Sequence, residues 1–252
     1  MSLAALVLAA FLAGPLLGAA TGFAAQAQDW RTASRAPMGW APDPASYQPA
    51  VVQAYAARTV RWRGAFAVHC WIAVKPEGAT VYHRYEVIGF NVSRNRPAIR
   101  ETETATPDQR WYGADVELLQ DIRGPEAEKI IAALPAAIAS YPYPNTYVVW
   151  PGPNSNTFIA HLARSIPELH LALPGNAIGK DFTGWKIVAA APSGTGLQLS
   201  LGGMLGVLLA GKEGLEVNVL GLVFGANPLK LAIAVPGVGR LPARHNWADN
   251  AP

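Results

Sequence analysis

Cysteine and charge are the two things this 252-residue chain has little of. Cys70 stands alone, which excludes an intramolecular disulfide framework and any multi-thiolate metal site. Charged residues make up 15% of the chain and hydrophobic ones 51%, a balance that excludes an intrinsically disordered polypeptide. The net charge is only +3, and the Lys and Arg residues are scattered rather than massed on one helix or tail, so there is no electrostatic footprint for nucleic acid. His83, His161 and His170 lack a metal-ligand spacing; no metal site is expected and no cofactor is implied. In Ala177-Ile178-Gly179-Lys180-Asp181 one glycine precedes the lysine and no Ser or Thr follows it, which is not a phosphate loop. Lys180 and Asp181 read instead as a local ion pair or cap. There is no repeat at a fixed period.

Punctuation is plentiful. With 24 Gly and 21 Pro, turns and short strands should be frequent. The uncharged run Leu3 to Phe23 is of bilayer-crossing length, roughly 20 residues. As a secretory signal it would be cut after Ala25-Gln26-Ala27, before Gln28; as an anchor it would stay in the membrane. Either way residues 29 to 252 are expected outside the cytoplasm, in the periplasm or on the periplasmic face of the inner membrane. Residues 28 to 50 read as an extended leader lying on the domain, 51 to 185 as an α+β core, 186 to 241 as an antiparallel meander and 242 to 252 as a tail. An Ala-rich scaffold helix is expected around Pro125 to Tyr141, interrupted at Pro135.

In the meander, odd positions are apolar in three runs: from Leu197 to Leu201, from Leu215 to Val223 and from Leu229 to Val235. Gly211 to Gly214 and Gly225 to Pro228 supply the turns between them. Three antiparallel strands packed on the main domain are the economical reading. Leu208, Leu220, Leu222 and Phe224 make the even face apolar near one end as well.

The chemistry sits on a hairpin and a helix start. Arg61 to Lys75 alternates, with Cys70 in the apolar row and His69 and Trp71 on the open face. A four-residue turn at Pro76 to Ala79 sets Lys75 opposite Thr80 and His69 opposite Glu86, close enough for the carboxylate to orient the imidazole. Further on, a strand and a Pro151-Gly152-Pro153 turn lead into a helix whose apolar residues Phe158, Ile159, Leu162 and Ile166 recur at helical spacing. Asn154, Ser155 and Asn156 stand at its N-terminus, where free N–H groups and the helix dipole stabilise a developing anion; Ser and Asn are also the preferred caps there.

Four stretches carry a family resemblance: Val52 to Arg58, Trp62 to His69, Trp150 to Phe158 (WPGPNSNTF) and Ala177 to Phe182. On them the chain, from about Ala50 to Leu241, resembles the bacterial domain of unknown function family 3750. At motif level it is also similar to the circularly permuted papain-like proteins, of the lecithin retinol acyltransferase and PPPDE peptidase types. Those proteins bring together a His on an early strand, a polar residue on the next strand and a Cys at a later helix start, in an Asn-Cys-x-x-Phe motif. The same order here gives His69, Glu86 and Asn154-Ser155-Asn156-Thr157-Phe158, with Ser155 where the Cys would be. The resemblance implies a papain-like core. A thiol ionises readily at a helix start, whereas a serine depends wholly on its base.

Two functions are therefore expected as alternatives. One is a non-catalytic cell-envelope protein binding a lipid, a peptide or a peptidoglycan-derived ligand, with Asn154, Asn156, Trp71, Trp150, Tyr85 and Arg63 lining the groove, and attached to a membrane through the N-terminal segment if that is retained. The other is a hydrolase or acyl-transferase in which Ser155 attacks, His69 takes its proton and Glu86 orients His69.

Overall fold

The computed structural model describes residues 3–20 and 31–242. The cleavage site expected at 25–28 and the expected tail from 243 onward lie outside the described residues. The apolar run begins as a helix, α1 (Leu3–Ala20), with Pro15 inside it. Among the described residues no helix is long and apolar enough to cross a membrane.

A mixed α/β architecture follows, built on two antiparallel sheets and few helices. The first sheet holds β1 (Val51–Arg58), β2 (Val68–Lys75), β3 (Tyr82–Val87), β4 (Ile99–Thr104) and β5 (Val116–Arg123), in the order β4-β3-β2-β1-β5; a short helix, α2 (Gly89–Val92), follows β3. With β1 and β2 near its centre, both faces of these strands need cover, and β2 is buried along its whole length. Cys70, Ile72 and Val74 face one core, closed by α3 (Pro125–Ala139) and α4 (Ser155–Ser165). Tyr55, Trp71 and Ala73 face a second core, roofed by Met38, Trp40 and Tyr47 of the leader. Three expectations change. Arg61 to Ala65 form a 3-10 turn, so the strand starts only at Val68. The open face of β2 is covered, because the leader lies on it and Trp40 Nε1 donates to Val116 O at 3.1 Å. The scaffold helix runs on to Ala139 with Pro135 inside it.

Cys70 is fully buried, and burial pushes its thiol well above the ordinary range. A thiol-reactive probe is therefore expected to leave native protein unmodified and to label one site per chain after denaturation. Fast labelling without denaturant would contradict the face assigned to Cys70.

The second sheet contains β6 (Val188–Ala190), β7 (Gly196–Leu201), β8 (Leu205–Ala210), β9 (Gly214–Val219), β10 (Leu222–Asn227), β11 (Ala232–Val235) and β12 (Gly239–Leu241), each paired with its sequence neighbours. Seven strands thus replace the three expected. The run from Leu215 to Val223 is divided by a tight turn at Leu220-Gly221, where Leu220 adopts φ 55° and Gly221 φ 83°.

Its orientation is the larger surprise. On β7 and β9 the residues facing the protein are polar: Gln198, Ser200, Glu216 and Asn218 are buried, beside Leu208 and Val223 of the neighbouring strands, while Leu197, Leu199, Val207, Leu209, Leu215 and Val217 face outward. The reason lies in Lys180-Asp181. The Lys180 ammonium, itself buried, donates to Asp181 Oδ1 at 3.0 Å and to Glu216 Oε2 at 2.7 Å. Asn218 Nδ2 donates to Asp181 Oδ2 at 3.0 Å, and both Gln198 and Ser200 donate to the Asp181 carbonyl. Buried charges require such partners, so the polar row turns inward to supply them. Burial alone would lower the Lys180 pKa, but Asp181 and Glu216 outweigh it and hold the ammonium charged.

Candidate functional site

His69 and Glu86 do meet, by a register two residues away from the expected one. Ile72 faces Tyr85, Ala73 faces Arg84 and Val74 faces His83, because the connection runs on past the Pro76–Ala79 turn. A slip of two keeps every side chain on its face. Glu86 therefore lies diagonal to His69, and its Oε2 is 2.8 Å from His69 Nε2. Arg84 (2.9 Å) and Arg100 (2.5 Å) also donate to the Glu86 carboxylate. Burial would raise the Glu86 pKa, but Arg84, His69 and Arg100 hold it well below the usual carboxylate range. An ionised carboxylate only accepts, so Nε2 carries the proton. Burial pushes the imidazole pKa below its ordinary value against the pull of Glu86, which leaves His69 neutral near pH 7. Nδ1 is then the lone-pair nitrogen, and it has no hydrogen-bond partner among the described residues.

The ring is held flat. His69 stacks on Trp111 with centroids 4.3 Å apart and on Trp71 at 5.8 Å, and the Arg84 guanidinium lies 4.2 Å over the Trp71 ring.

The start of α4 reaches this pair through Asn156. Near Val68 to Cys70, β2 has an edge that β3 leaves unpaired as the chain turns into α2. The Asn156 amide takes that edge like a strand peptide: Cys70 N–H donates to Oδ1 at 3.1 Å, and Nδ2 donates to Val68 O at 2.9 Å and to Ile178 O at 2.8 Å. Asn154 caps the helix in a capping box with Thr157, as its residue type suggests. Its Oδ1 accepts from the N–H groups of Asn156 (3.0 Å) and Thr157 (3.2 Å). Two of the N–H groups expected to receive an oxyanion are thus already engaged. Only the N–H of Ser155 itself is left open among the first three, and its hydroxyl makes no hydrogen bond to His69 or to any other described residue.

These groups form one end of a cavity of about 750 Å³. His69, Ser155, Asn154 and Asn156 line it together with Arg63 and Trp150. Trp71 and Tyr85 do not. Trp71 is sealed beneath His69 with Nε1 donating to Pro107 O at 2.9 Å, and Tyr85 packs against the other core, opposite its neighbour Glu86. Trp111, Tyr112, Phe90, Tyr147 and Ile178 are lining residues that sequence reasoning missed. Trp111 and Tyr112 also wall a second cleft, of about 320 Å³, onto which Glu86, Arg84 and Arg100 open. Arg63 is the cavity's sole residue of fixed charge among the described lining residues, and most of the remaining wall is apolar.

No curated protein and no solved structure matches this sequence. One family model does, over residues 49–182, a stretch that contains His69, Glu86, Ser155 and Lys180 and ends before the second sheet. On that match, which spans more than half of the chain, it belongs to the family described as protein of unknown function (DUF3750).

Proposed function

We propose that the protein is a non-catalytic binder of an acyl-chain amphiphile, working in the cell envelope. The cavity carries this reading: its volume falls in the range of ligand sites, roughly 300–1,000 Å³, and its wall is apolar apart from one cation and one polar end. An acyl chain matches the wall, and an anionic or neutral head matches Arg63 and the N–H and hydroxyl of Ser155. The order of His69, Glu86 and the Ser155 helix start supports reading the core as a papain-like scaffold put to binding. The uncharged N-terminal run supports the envelope address.

Titration of the full chain with a fluorescent polyene fatty acid tests the proposal. One saturable site per chain, displaced by palmitate, is expected, and Arg63→Ala should weaken it about tenfold, the equivalent of one charge-assisted contact of ~1.4 kcal/mol. Absence of saturable binding would overturn it.

One observation favours a second reading, a Ser-His-Glu hydrolase or acyl-transferase: His69 is neutral, oriented by Glu86 at 2.8 Å, and shares the cavity with Ser155. Against it stand the missing Ser155–His69 hydrogen bond and the helix-start N–H groups taken by Asn154. Covalent labelling of Ser155 by a fluorophosphonate, lost in His69→Ala, would decide for catalysis.

A further inference from the structure

We infer that the outward face of the second sheet docks on an anionic lipid bilayer. A half-solvated antiparallel sheet ordinarily shows water its polar row. Here the polar row is turned inward by Lys180, and the exposed row is Leu, Val, Ile or Phe in strand after strand, with Leu197 64%, Leu209 66% and Phe224 49% exposed. Nothing among the described residues covers it. Strands β7 to β10 have six residues each, and the shorter β6, β11 and β12 extend them to a face of roughly 550 Å², at the upper end of the ~300–600 Å² patches that on ordinary monomers are often functional.

Charge selects the occupant. Between residues 183 and 241 the cations are Lys186, Lys212, Lys230 and Arg240; Lys212 and Arg240 are tied back to the protein through His170 O and Lys212 O, while Lys186 and Lys230 stand at a flank and a loop tip of the sheet, at the border of the apolar face. The two acids of that stretch, Glu213 and Glu216, are buried and bonded to Ser193 and Lys180. An apolar face with a basic rim complements acyl chains below anionic headgroups. A second copy of the chain would instead bring two basic rims together with no acid to pair them. The most exposed apolar side chains also stand at the border: Leu229 (84%) and Leu231 (87%) flank Lys230 at a loop tip, and Trp185 beside Lys186 is fully exposed. Trp beside Lys is the composition of a membrane interface.

Docking in this way brings the cavity to the lipid. Leu220 and Leu222, at the β9–β10 turn, line the cavity, and Trp150 Nε1 donates to Leu220 O at 2.9 Å. Pro15 of α1 packs at Gly237 in the β11–β12 turn, on the same end of the sheet. The inference stands on the sheet alone and does not require the cavity reading.

Because Cys70 is buried, Leu209→Cys in the full chain takes a single environment-sensitive NBD label; Glu126→Cys on α3 serves as the control. With phosphatidylglycerol vesicles, the label at 209 should brighten at least threefold and be quenched by nitroxide lipids, and the label at 126 should do neither. Lys186→Glu with Lys230→Glu should raise the lipid concentration needed at least tenfold. Protein that sediments with vesicles while the label at 209 stays in water would mean that α1 alone holds it, and would overturn the proposal. So would a lipid-free dimer in sedimentation that already shields position 209, which would assign the face to a second copy.

Discussion

Asn156→Ala is expected to lower the melting temperature by about 6–12 °C and to abolish fatty-acid binding, whereas Ser155→Ala changes stability by less than about 0.5 kcal/mol. The two residues are neighbours at one helix start and both are buried, but their bonds differ. Asn156 makes three side-chain hydrogen bonds, to Cys70 N, Val68 O and Ile178 O; its loss strands Cys70 N and Val68 O, while Ile178 O keeps its bond from Asn154 Nδ2. An unsatisfied buried polar group costs about 1–3 kcal/mol, so the total is about 3 kcal/mol or more even if water enters from the cavity. The same bonds hold the helix start against β2, and without them Ser155 and Asn154 no longer form the cavity end. Thermal melts and probe titrations on the two variants check this; equal effects would mean that Asn156 does not tie α4 to β2.

Lys180→Ala is expected to cost about 3–5 kcal/mol, the usual penalty for removing one partner of a buried ion pair. Asp181 and Glu216 would then face each other without the ammonium that pairs with both, under the inward row of the second sheet. Adding Glu216→Gln should recover part of the loss, since it removes one of the two stranded charges. Chemical denaturation of the wild type and both variants measures this. Lys180→Ala with wild-type stability would contradict the account of why the polar row faces inward.

The sequence pattern made the His69–Glu86 pair legible, because alternation fixes the face and a loop longer by an even number leaves it unchanged. The cap at Asn154 was legible from residue type. Asn156 was not, since its partner strand lies 86 residues away and an asparagine at a helix start reads as a cap. Arg100 escaped because β4 reads Arg-Glu-Thr-Glu-Thr, with no apolar row to mark a strand, and Trp111 escaped because it stands in a turn. Alternation in the second sheet identified the apolar row without saying which way it faces. That direction is set by Glu216 meeting Lys180, a contact between residues 36 apart.

Photo-crosslinking with a diazirine-tagged palmitate, mapped by mass spectrometry on the full chain without vesicles, tests the cavity reading most directly. The account predicts adducts within residues 59–69, 87–93, 147–158 and 220–222 or at Trp111, Tyr112 and Ile178, which together bound the cavity, and their loss on competition with untagged palmitate. Adducts confined to α1 or to the outward row from Leu197 to Val217, or insensitive to competition, would contradict it.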